Sequence, residues 1–315
     1  LALTFAGASG KAGVAIAEAV CALHADTDLP IAISWNAPAS HNGAAYETLQ
    51  AVGVPVYQTP ARAIRALAAV WTGRRPVSAP AISALPKTRP ARLLSEAAGK
   101  PFLTDTGITA APEAVVHTSR DAIRAAVHVG YPVVAKLLSS SIDHKSELGG
   151  VMVGLGTAAE VDRAFTAIAA IPQSLQPALP SEGVLIQKMV QGGAEVILGA
   201  RIDPTFGPVV MVGAGGIYAE VFEDVAFRIA PIDVDEAARM MAETKVSRIL
   251  NGTRGKGPFD VTALAEAIAG LSRRIADPSG RLQEIEINPL FVMPPGEGVI
   301  AGDCVVRIAE DAGDT

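Results

Sequence analysis

The fold of this chain is decided by the sequence GYPVVAK at residues 130–136, which is followed by IDHKSELGGV at residues 142–151. An apolar strand ends with Lys136, a polar loop carries a histidine and a second lysine, and the pair Gly149-Gly150 closes the loop. A buried strand fixes the place of Lys136, and glycine backbone can approach phosphate oxygens because no Cβ intervenes. The stretch therefore predicts a site for phosphoryl chemistry.

The bulk composition is typical of a globular protein. With 315 residues, of which 50% are hydrophobic and 18% charged, the chain is long enough for about two domains. The net charge of -6 without a basic block argues against a nucleic-acid partner. No apolar run approaches the ~18 residues of a membrane span, and no signal-peptide pattern is present. Cys21 and Cys304 have no metal-ligand spacing and are too few for a disulfide scaffold, so we expect a reduced, cytoplasmic protein.

Residues 1–72 predict a small parallel sheet covered by helices. Apolar strands at 1–5, 30–35 and 54–57 alternate with helices at 12–23, 43–52 and 60–71. The chain begins inside an apparent strand without methionine, so we expect it to come from a longer polypeptide. A Pro- and Ser-rich linker is predicted at 73–86, and a second domain at 87–315.

The second domain mixes helices and strands without strict alternation, which predicts an α+β unit of two lobes. Thr157 and Glu160 form a capping-box pair at the start of one helix. The predicted helices lie at 90–98, 119–128, 158–170, 234–249 and 261–275. The predicted strands lie at 132–138, 150–155, 183–190, 194–202, 208–213, 227–229, 281–287 and 298–308.

Alternate residues near residue 286 predict a magnesium site. In a strand Glu284, Glu286 and Asn288 project to one face, whereas the isoleucines between them project to the other. Two carboxylates and an amide are the hard oxygen ligands that magnesium accepts, and phosphate or water can complete its shell. Asp303, on the following strand, is a further candidate ligand. We expect Pro289 to end the strand at this point.

Two other glycine-rich segments are weaker signals. The segment GAGGIY at 213–218 lacks the helix and acidic residue that a dinucleotide fingerprint requires, so a turn near a phosphorylated group is the better interpretation. The segment GASGK at 7–11 lacks the phosphate-loop spacing and predicts a tight strand-to-helix turn. His144 is a candidate phosphoryl acceptor because Lys145 and the glycine pair adjoin it, although a loop histidine is equally often plain polar surface.

These motifs, in this order, resemble the ATP-grasp part of the ADP-forming acyl-CoA synthetases, relatives of succinyl-CoA synthetase. The resemblance covers about residues 87–310 and is carried by GYPVVAK, by the segment 142–151, by residues 207–217, by GTRG at 252–255 and by EINPL at 286–290. Residues 1–72 resemble the C-terminal part of the flavodoxin-like CoA-ligase domain that precedes this module in fused members. The expected architecture is thus part of a flavodoxin-like parallel-sheet domain followed by a two-lobed ATP-grasp domain.

The resemblance implies a role for each matching position. His144 would be a phosphorylatable histidine, and Arg254 would hold an anion during catalysis. The implied nucleotide-binding residues are Lys136, Gly149, Gly150, Gln187, Lys188, Met189, Val190 and Glu195; the implied magnesium ligands are Glu286, Asn288 and Asp303.

The implied reaction joins a carboxylic acid to CoA while ATP becomes ADP and phosphate, with phosphohistidine as an intermediate. ATP and Mg²⁺ would bind here, CoA and the acid would bind through other ligase domains or subunits, and an oligomer is expected. Two alternatives remain open. One is another ATP-grasp carboxylate ligase without phosphohistidine; the other is a non-catalytic nucleotide-binding subunit, suggested by Ser140 and Ser141, which stand where the family has proline and aspartate.

Overall fold

The computed structural model describes residues 1–5, 7–36, 39–73, 87–142, 145–216, 224–252 and 257–310. The chain divides into two compact units, Leu1–Val77 and Ser78–Thr315. Within the described ranges, no helix combines the length and the apolar character needed to cross a membrane.

The first unit contains a three-stranded parallel sheet in the order β1-β2-β3, as the alternation of strands and helices predicts. The strands are β1 (Ala2–Phe5), β2 (Ala32–Trp35) and β3 (Val56–Tyr57), and the helices are α1 (Gly10–Ala25), α2 (Ala39–Ala51) and α3 (Pro60–Gly73). Trp35 and Leu49 are fully buried in its core. The turn before α1 uses Gly7 at φ 77° and Gly10 at φ 60°, a region that glycine enters without steric cost.

The second unit has a small lobe built on a four-stranded antiparallel sheet in the order β6-β9-β7-β8. Its elements are β6 (Glu113–Val116), α5 (Ser119–Val129), β7 (Val133–Leu138), β8 (Val151–Leu155), α6 (Ala158–Ser174) and β9 (Gly183–Lys188). The predicted capping box is present, since the Thr157 hydroxyl accepts from the Glu160 amide and the Glu160 carboxylate accepts from the Thr157 amide. Both helices pack their buried alanines and aliphatic side chains against the sheet.

The large lobe of the second unit is built on an eight-stranded sheet. Its central path runs β12-β11-β10-β13-β14-β5, while β15 pairs with β13 and with β4. The strands are β4 (Ala91–Leu94), β5 (Ile108–Ala110), β10 (Ala194–Asp203), β11 (Gly207–Ala214), β12 (Val225–Ile229), β13 (Leu282–Val292), β14 (Val299–Ala301) and β15 (Cys304–Ala309). The helical elements are α4 (Glu96–Gly99), a 3-10 turn (Lys100–Leu103), α7 (Val234–Ala242), α8 (Val246–Leu250) and α9 (Val261–Ile275). The long helix α9 places Leu264 and Ile268 in the core under the sheet.

Four sequence expectations for the large lobe are wrong. Residues 91–94 form the edge strand β4, and only 96–99 are helical, because β15 supplies a pairing partner from the far end of the chain. The predicted helix 234–249 is two helices, and the predicted strand 298–308 is two strands separated by Gly302 and Asp303.

The fourth correction concerns Pro289, which does not end its strand. The pairing of β13 with β10 shifts register between Val196 and Leu198, so Asn288 and Pro289 lie together opposite one residue. Such a bulge leaves a strand position outside the hydrogen-bond ladder, where proline costs no ladder bond. The strand therefore continues to Val292.

Candidate functional site

One buried carboxylate gathers the lysines of the second unit. Glu96, the first residue of α4, is 1% exposed at its side chain. Its Oε1 accepts a hydrogen bond from Lys136 Nζ at 2.8 Å, and Lys136 Nζ also donates to the Gly302 carbonyl at 2.6 Å. Lys136 is the fourth residue of β7, which continues to Leu138, so the lysine belongs to the strand interior and does not end it as the sequence suggested.

Two more ammonium groups converge on the same carboxylate. Lys145 Nζ donates to Glu96 Oε2 at 2.8 Å and to Asp303 Oδ1 at 3.2 Å. Lys100 Nζ lies 3.1 Å from Glu96 Oε1 and also pairs with Glu113. We call the six residues Glu96, Lys100, Glu113, Lys136, Lys145 and Asp303 the ion cluster; it holds three cations and three carboxylates.

The charges of the ion cluster control each other's protonation. Burial opposes ionisation of Glu96, but the ammonium groups of Lys136, Lys145 and Lys100 outweigh it and hold the pKa of this carboxyl well below its usual range. Burial also disfavours the charged form of Lys145, yet Glu96 and Asp303 raise its pKa above the usual value. Asp303 differs from Glu96, the other buried carboxylate that contacts these lysines. Burial and the neighbouring Glu96 raise the pKa of Asp303, although Lys136 and Lys145 act to lower it.

Of the three predicted magnesium ligands, Asp303 belongs to the ion cluster and Glu286 lies near it. Ile285 and Ile287 are buried and Glu286 is exposed, as the predicted alternation requires over these three residues, whereas the bulge at Asn288 and Pro289 interrupts it. Part of the Glu286 side chain reaches solvent, but its partial burial, together with Glu284 and Asp303, raises the pKa of Glu286, so its carboxylate has acidic neighbours. Asn288 Oδ1 accepts from the Gly216 amide at 3.1 Å.

These residues fit a magnesium ion in their chemistry. Among the described residues, no three His, Cys, Asp or Glu side chains stand together as a complete metal cage. Magnesium in phosphoryl-transfer sites is commonly held by only one or two carboxylates, with phosphate oxygens and water filling the remaining positions. Glu286 and Asp303, which repel each other when both are ionised, meet that requirement, and Asn288 adds a neutral oxygen.

A cleft of about 320 Å³ opens at Glu96 and Lys145 of the ion cluster. Its other charged lining residues are Glu284, Glu286 and Arg307. Cys304 also lines the cleft, and burial, Glu96 and Asp303 raise the pKa of its thiol to about 12, so it stays protonated. The cleft thus offers cationic and anionic groups to one ligand.

The predicted glycine pair closes a turn. The Gly150 amide donates to the Lys145 carbonyl at 2.7 Å, and the Gly149 amide donates to the Ser146 carbonyl at 3.1 Å. A Cβ at Gly150 would lie 2.7 Å from the Lys145 carbonyl oxygen, which explains the need for glycine. Both amides are engaged within the turn, so in this conformation they do not point free donors at a phosphate.

The remaining predicted nucleotide residues fall into separate places. Gln187 is buried and donates to Glu113 at 2.8 Å, which joins it to the ion cluster. Lys188 Nζ donates to the carbonyls of Gly130 and Tyr131, each at 2.8 Å, at the end of α5.

The chain leaves β9 through Met189, whose amide donates to the Pro132 carbonyl at 3.1 Å, and then Val190, which is half-buried. Glu195 lies on β10 beside the Gly215-Gly216 turn, and its carbonyl accepts from the Gly215 amide at 3.3 Å. His144 and Arg254 lie outside the described residues, so both roles stay predictions.

Sequence reasoning missed Glu96, Lys100 and Glu113, and noted Lys145 only as a neighbour of His144. One local signal was present: Glu96 and Lys100 are four residues apart, a spacing that favours an ion pair on a helix. Nothing local indicates that Lys136 and Lys145 reach the same carboxylate, since they are 40 and 49 residues away from it in sequence.

Comparison with known proteins gives the site a family. A family model described as an ATP-grasp domain matches residues 86–308. The 4-hydroxybutyrate–CoA ligase [ADP-forming] of Nitrosopumilus maritimus strain SCM1 is 40% identical over 205 residues, which are 65% of this chain and 29% of that protein. The acetate–CoA ligase [ADP-forming] I of Archaeoglobus fulgidus is 41% identical, with 65% of this chain and 30% of that protein aligned. The chain therefore spans less than a third of the length of these two relatives.

Separate subunits and a solved structure match over more of their length. The β subunit of acetate–CoA ligase [ADP-forming] II from Pyrococcus furiosus is 36% identical over 204 residues, covering 65% of this chain and 86% of that subunit. A solved chain of the acetyl-coenzyme A synthetase 1 of Candidatus Korarchaeum cryptofilum superimposes with a TM-score of 0.64 at 31% identity, covering 78% of this chain and 98% of that one. This chain belongs to the ATP-grasp domain family, and within it resembles the β subunits of ADP-forming CoA ligases.

Proposed function

We propose that the second unit binds Mg-ATP and carries the phosphoryl-transfer part of an ADP-forming acyl-CoA synthetase. The observation that supports this most strongly is the ion cluster, which brings Lys136, Lys145 and Asp303 together near Glu286. Transfer of a phosphoryl group depends mainly on positioning and charge neutralisation, and buried ammonium groups next to a metal site provide both.

In the proposed reaction the triphosphate binds at the ion cluster, of which Glu96 and Lys145 line the cleft. Lys136 and Lys145 bind the triphosphate oxygens, and we assign Gln187, Met189, Val190 and Glu195 to the remainder of the nucleotide. Glu286, Asn288 and Asp303 would hold magnesium, which neutralises charge on the phosphates when bound. The imidazole of His144 attacks the terminal phosphorus, the bond between that phosphorus and the bridging oxygen breaks, and ADP leaves with the electron pair.

The complete ligase reaction needs groups that we assign to other domains or subunits. CoA and the carboxylic acid would bind there, and phosphohistidine would carry the phosphoryl group to them. Solved structures of the Korarchaeum enzyme support this course, since one contains CoA and Mg-AMPPCP with a phosphohistidine segment pointing towards the nucleotide-binding site. Another contains that segment phosphorylated.

The test is the intact mass of the purified chain after incubation with Mg-ATP, measured beside a His144→Ala variant. We expect an acid-labile gain of one phosphoryl group that the variant lacks. If the wild-type chain binds Mg-ATP and gains no phosphoryl group, the phosphohistidine step is refuted, and a ligase without that intermediate or a non-catalytic subunit replaces it. If it binds no nucleotide, the whole proposal fails.

A further inference from the structure

Glu96 occupies a position that the proposed reaction does not use. Its carboxylate is buried, yet it contacts ammonium groups from three different elements. Lys136 comes from the interior of β7, Lys100 from the 3-10 turn that follows α4, and Lys145 from the turn before β8. One oxygen serves Lys136 and Lys100, and the other serves Lys145, so the carboxylate bridges the cations.

The three lysines differ in how firmly the backbone holds them. Lys136 is 6% exposed in a strand paired on both sides, so its stem is fixed by the sheet. Lys145 extends from a turn and is 15% exposed, and within the described part of the chain it pairs with Glu96 and Asp303. Without Glu96 the ammonium groups would repel one another at short range, and a long, flexible lysine at the edge of the cluster can turn to solvent.

We infer that Glu96 is a positioning residue of the nucleotide site: it holds the Lys145 ammonium beside that of Lys136, so that both are in place before a polyphosphate arrives. This inference rests on the proposed function, because it takes the two lysines to be the phosphate-binding cations. When the two ammonium groups are already held together, the free energy needed to bring like charges close is not subtracted from the binding free energy of the anion.

Stability alone does not account for the arrangement. A buried ion cluster is often no more stable than apolar side chains of the same volume, because removing the charges from water is costly. Glu96 and Lys145 instead line the cleft directly, together with Glu284 and Glu286. A carboxylate that holds cations at the wall of a polar cleft therefore positions them to bind an anionic ligand in that cleft.

The test compares Glu96→Gln and Glu96→Asp with the wild type and with Ser272→Ala. Glu96→Gln keeps the size and removes the charge, whereas Glu96→Asp keeps the charge and shortens the reach by one carbon–carbon bond. Ser272 is fully buried in α9 and its hydroxyl bonds with Ile232 and Ala269, so its replacement costs stability within the large lobe and does not touch the ion cluster. Calorimetry gives the dissociation constant for Mg-ADP, and acetic anhydride labelling with peptide mass mapping reports the accessibility of each lysine.

We expect Mg-ADP to bind at least tenfold more weakly to Glu96→Gln and at least threefold more weakly to Glu96→Asp, with acetylation of Lys145 increased several-fold in both. Ser272→Ala should match the wild type in binding and labelling. If Glu96→Gln does not fold, the aspartate variant decides alone. Wild-type binding together with unchanged or tighter binding in a folded Glu96 variant overturns the inference and leaves the proposed function intact. A wild type that binds no nucleotide overturns both.

Discussion

Replacing Lys136 with methionine tests the centre of the site, because methionine keeps the volume of the buried side chain and removes only its ammonium group. In the structure this group donates to Glu96 Oε1 at 2.8 Å and to the Gly302 carbonyl at 2.6 Å. The variant loses both bonds and leaves a buried carbonyl without this donor. Glu96 keeps Lys100 and Lys145, so its charge remains compensated in part.

The size of the effect follows from these contacts. A hydrogen bond to a charged group contributes about 1.5–3 kcal/mol, and the remaining lysines offset part of the loss. We expect the free energy of unfolding of the second unit to fall by about 2–4 kcal/mol. For a unit of this size that corresponds to a decrease in Tm of roughly 4–16 °C. Mg-ADP should bind about 100-fold more weakly, a loss of about 2.8 kcal/mol of binding free energy.

The assay pairs urea unfolding with calorimetric titration of Mg-ADP, and Arg228→Met is the matched control. Arg228 is a half-buried cation that pairs with Glu236 at 2.6 Å and with Glu243, on the edge strand β12. Its removal should cost stability by the same physical mechanism without changing nucleotide binding. If Lys136→Met binds Mg-ADP as tightly as the wild type, or if the control weakens binding equally, Lys136 is not a phosphate-binding residue.

Two further predictions concern acidic residues. Partial burial and, to a lesser extent, the neighbouring carboxylates Glu284 and Asp303 raise the pKa of Glu286, so its ionised form is unfavourable in the folded protein at pH 7. Glu286→Gln should therefore increase the Tm of the metal-free protein at pH 7 and weaken Mg²⁺-dependent nucleotide binding tenfold or more; a lower Tm without magnesium would contradict this. Asp260 caps α9 through the Ala263 amide and also accepts hydrogen bonds from the Gly296 and Gly298 amides. The hydrogen bond from the Ala263 amide is the main cause that lowers the pKa of Asp260 in the folded protein. The ionised carboxylate therefore contributes to the free energy of unfolding above about pH 3.9, and this contribution is lost as the pH falls through the folded-state pKa. Asp260→Ala should therefore cost about 1 kcal/mol at pH 7 and progressively less below pH 4, measured by thermal unfolding across pH, whereas a cost that does not change with pH would refute the role of the charge.

Local patterns predicted the parts of the fold that local interactions determine. The hairpin of β7 and β8, the capping box at Thr157 and the helix α9 all appear where the sequence places them. Each depends on apolar periodicity or on residues within one turn, which a short window of sequence contains.

The failures occur where distant partners decide the structure. Residues 91–94 become a strand because β15, more than 200 residues later, pairs with them. Pro289 remains within a strand because β10 accommodates a bulge opposite it. The side-chain contacts of the ion cluster also depend on distant partners, since Lys145 and Asp303 are 158 residues apart in sequence. Each residue type was visible in the sequence, but the contact between them was not.

Asp303 links the two halves of the site. It accepts from Lys145 on the cationic side, and its charge raises the pKa of Glu286 on the acidic side. A bare polyphosphate would bring further negative charge next to Glu286 and Asp303, and a bare metal ion would have to compete with Lys145 for Asp303. In the proposed site a magnesium–polyphosphate complex would satisfy both sides at once, because its cation would pair with the carboxylates while its phosphate oxygens would accept from Lys136 and Lys145. On this proposal we expect metal and nucleotide to enter together as one complex, each increasing the affinity of the other.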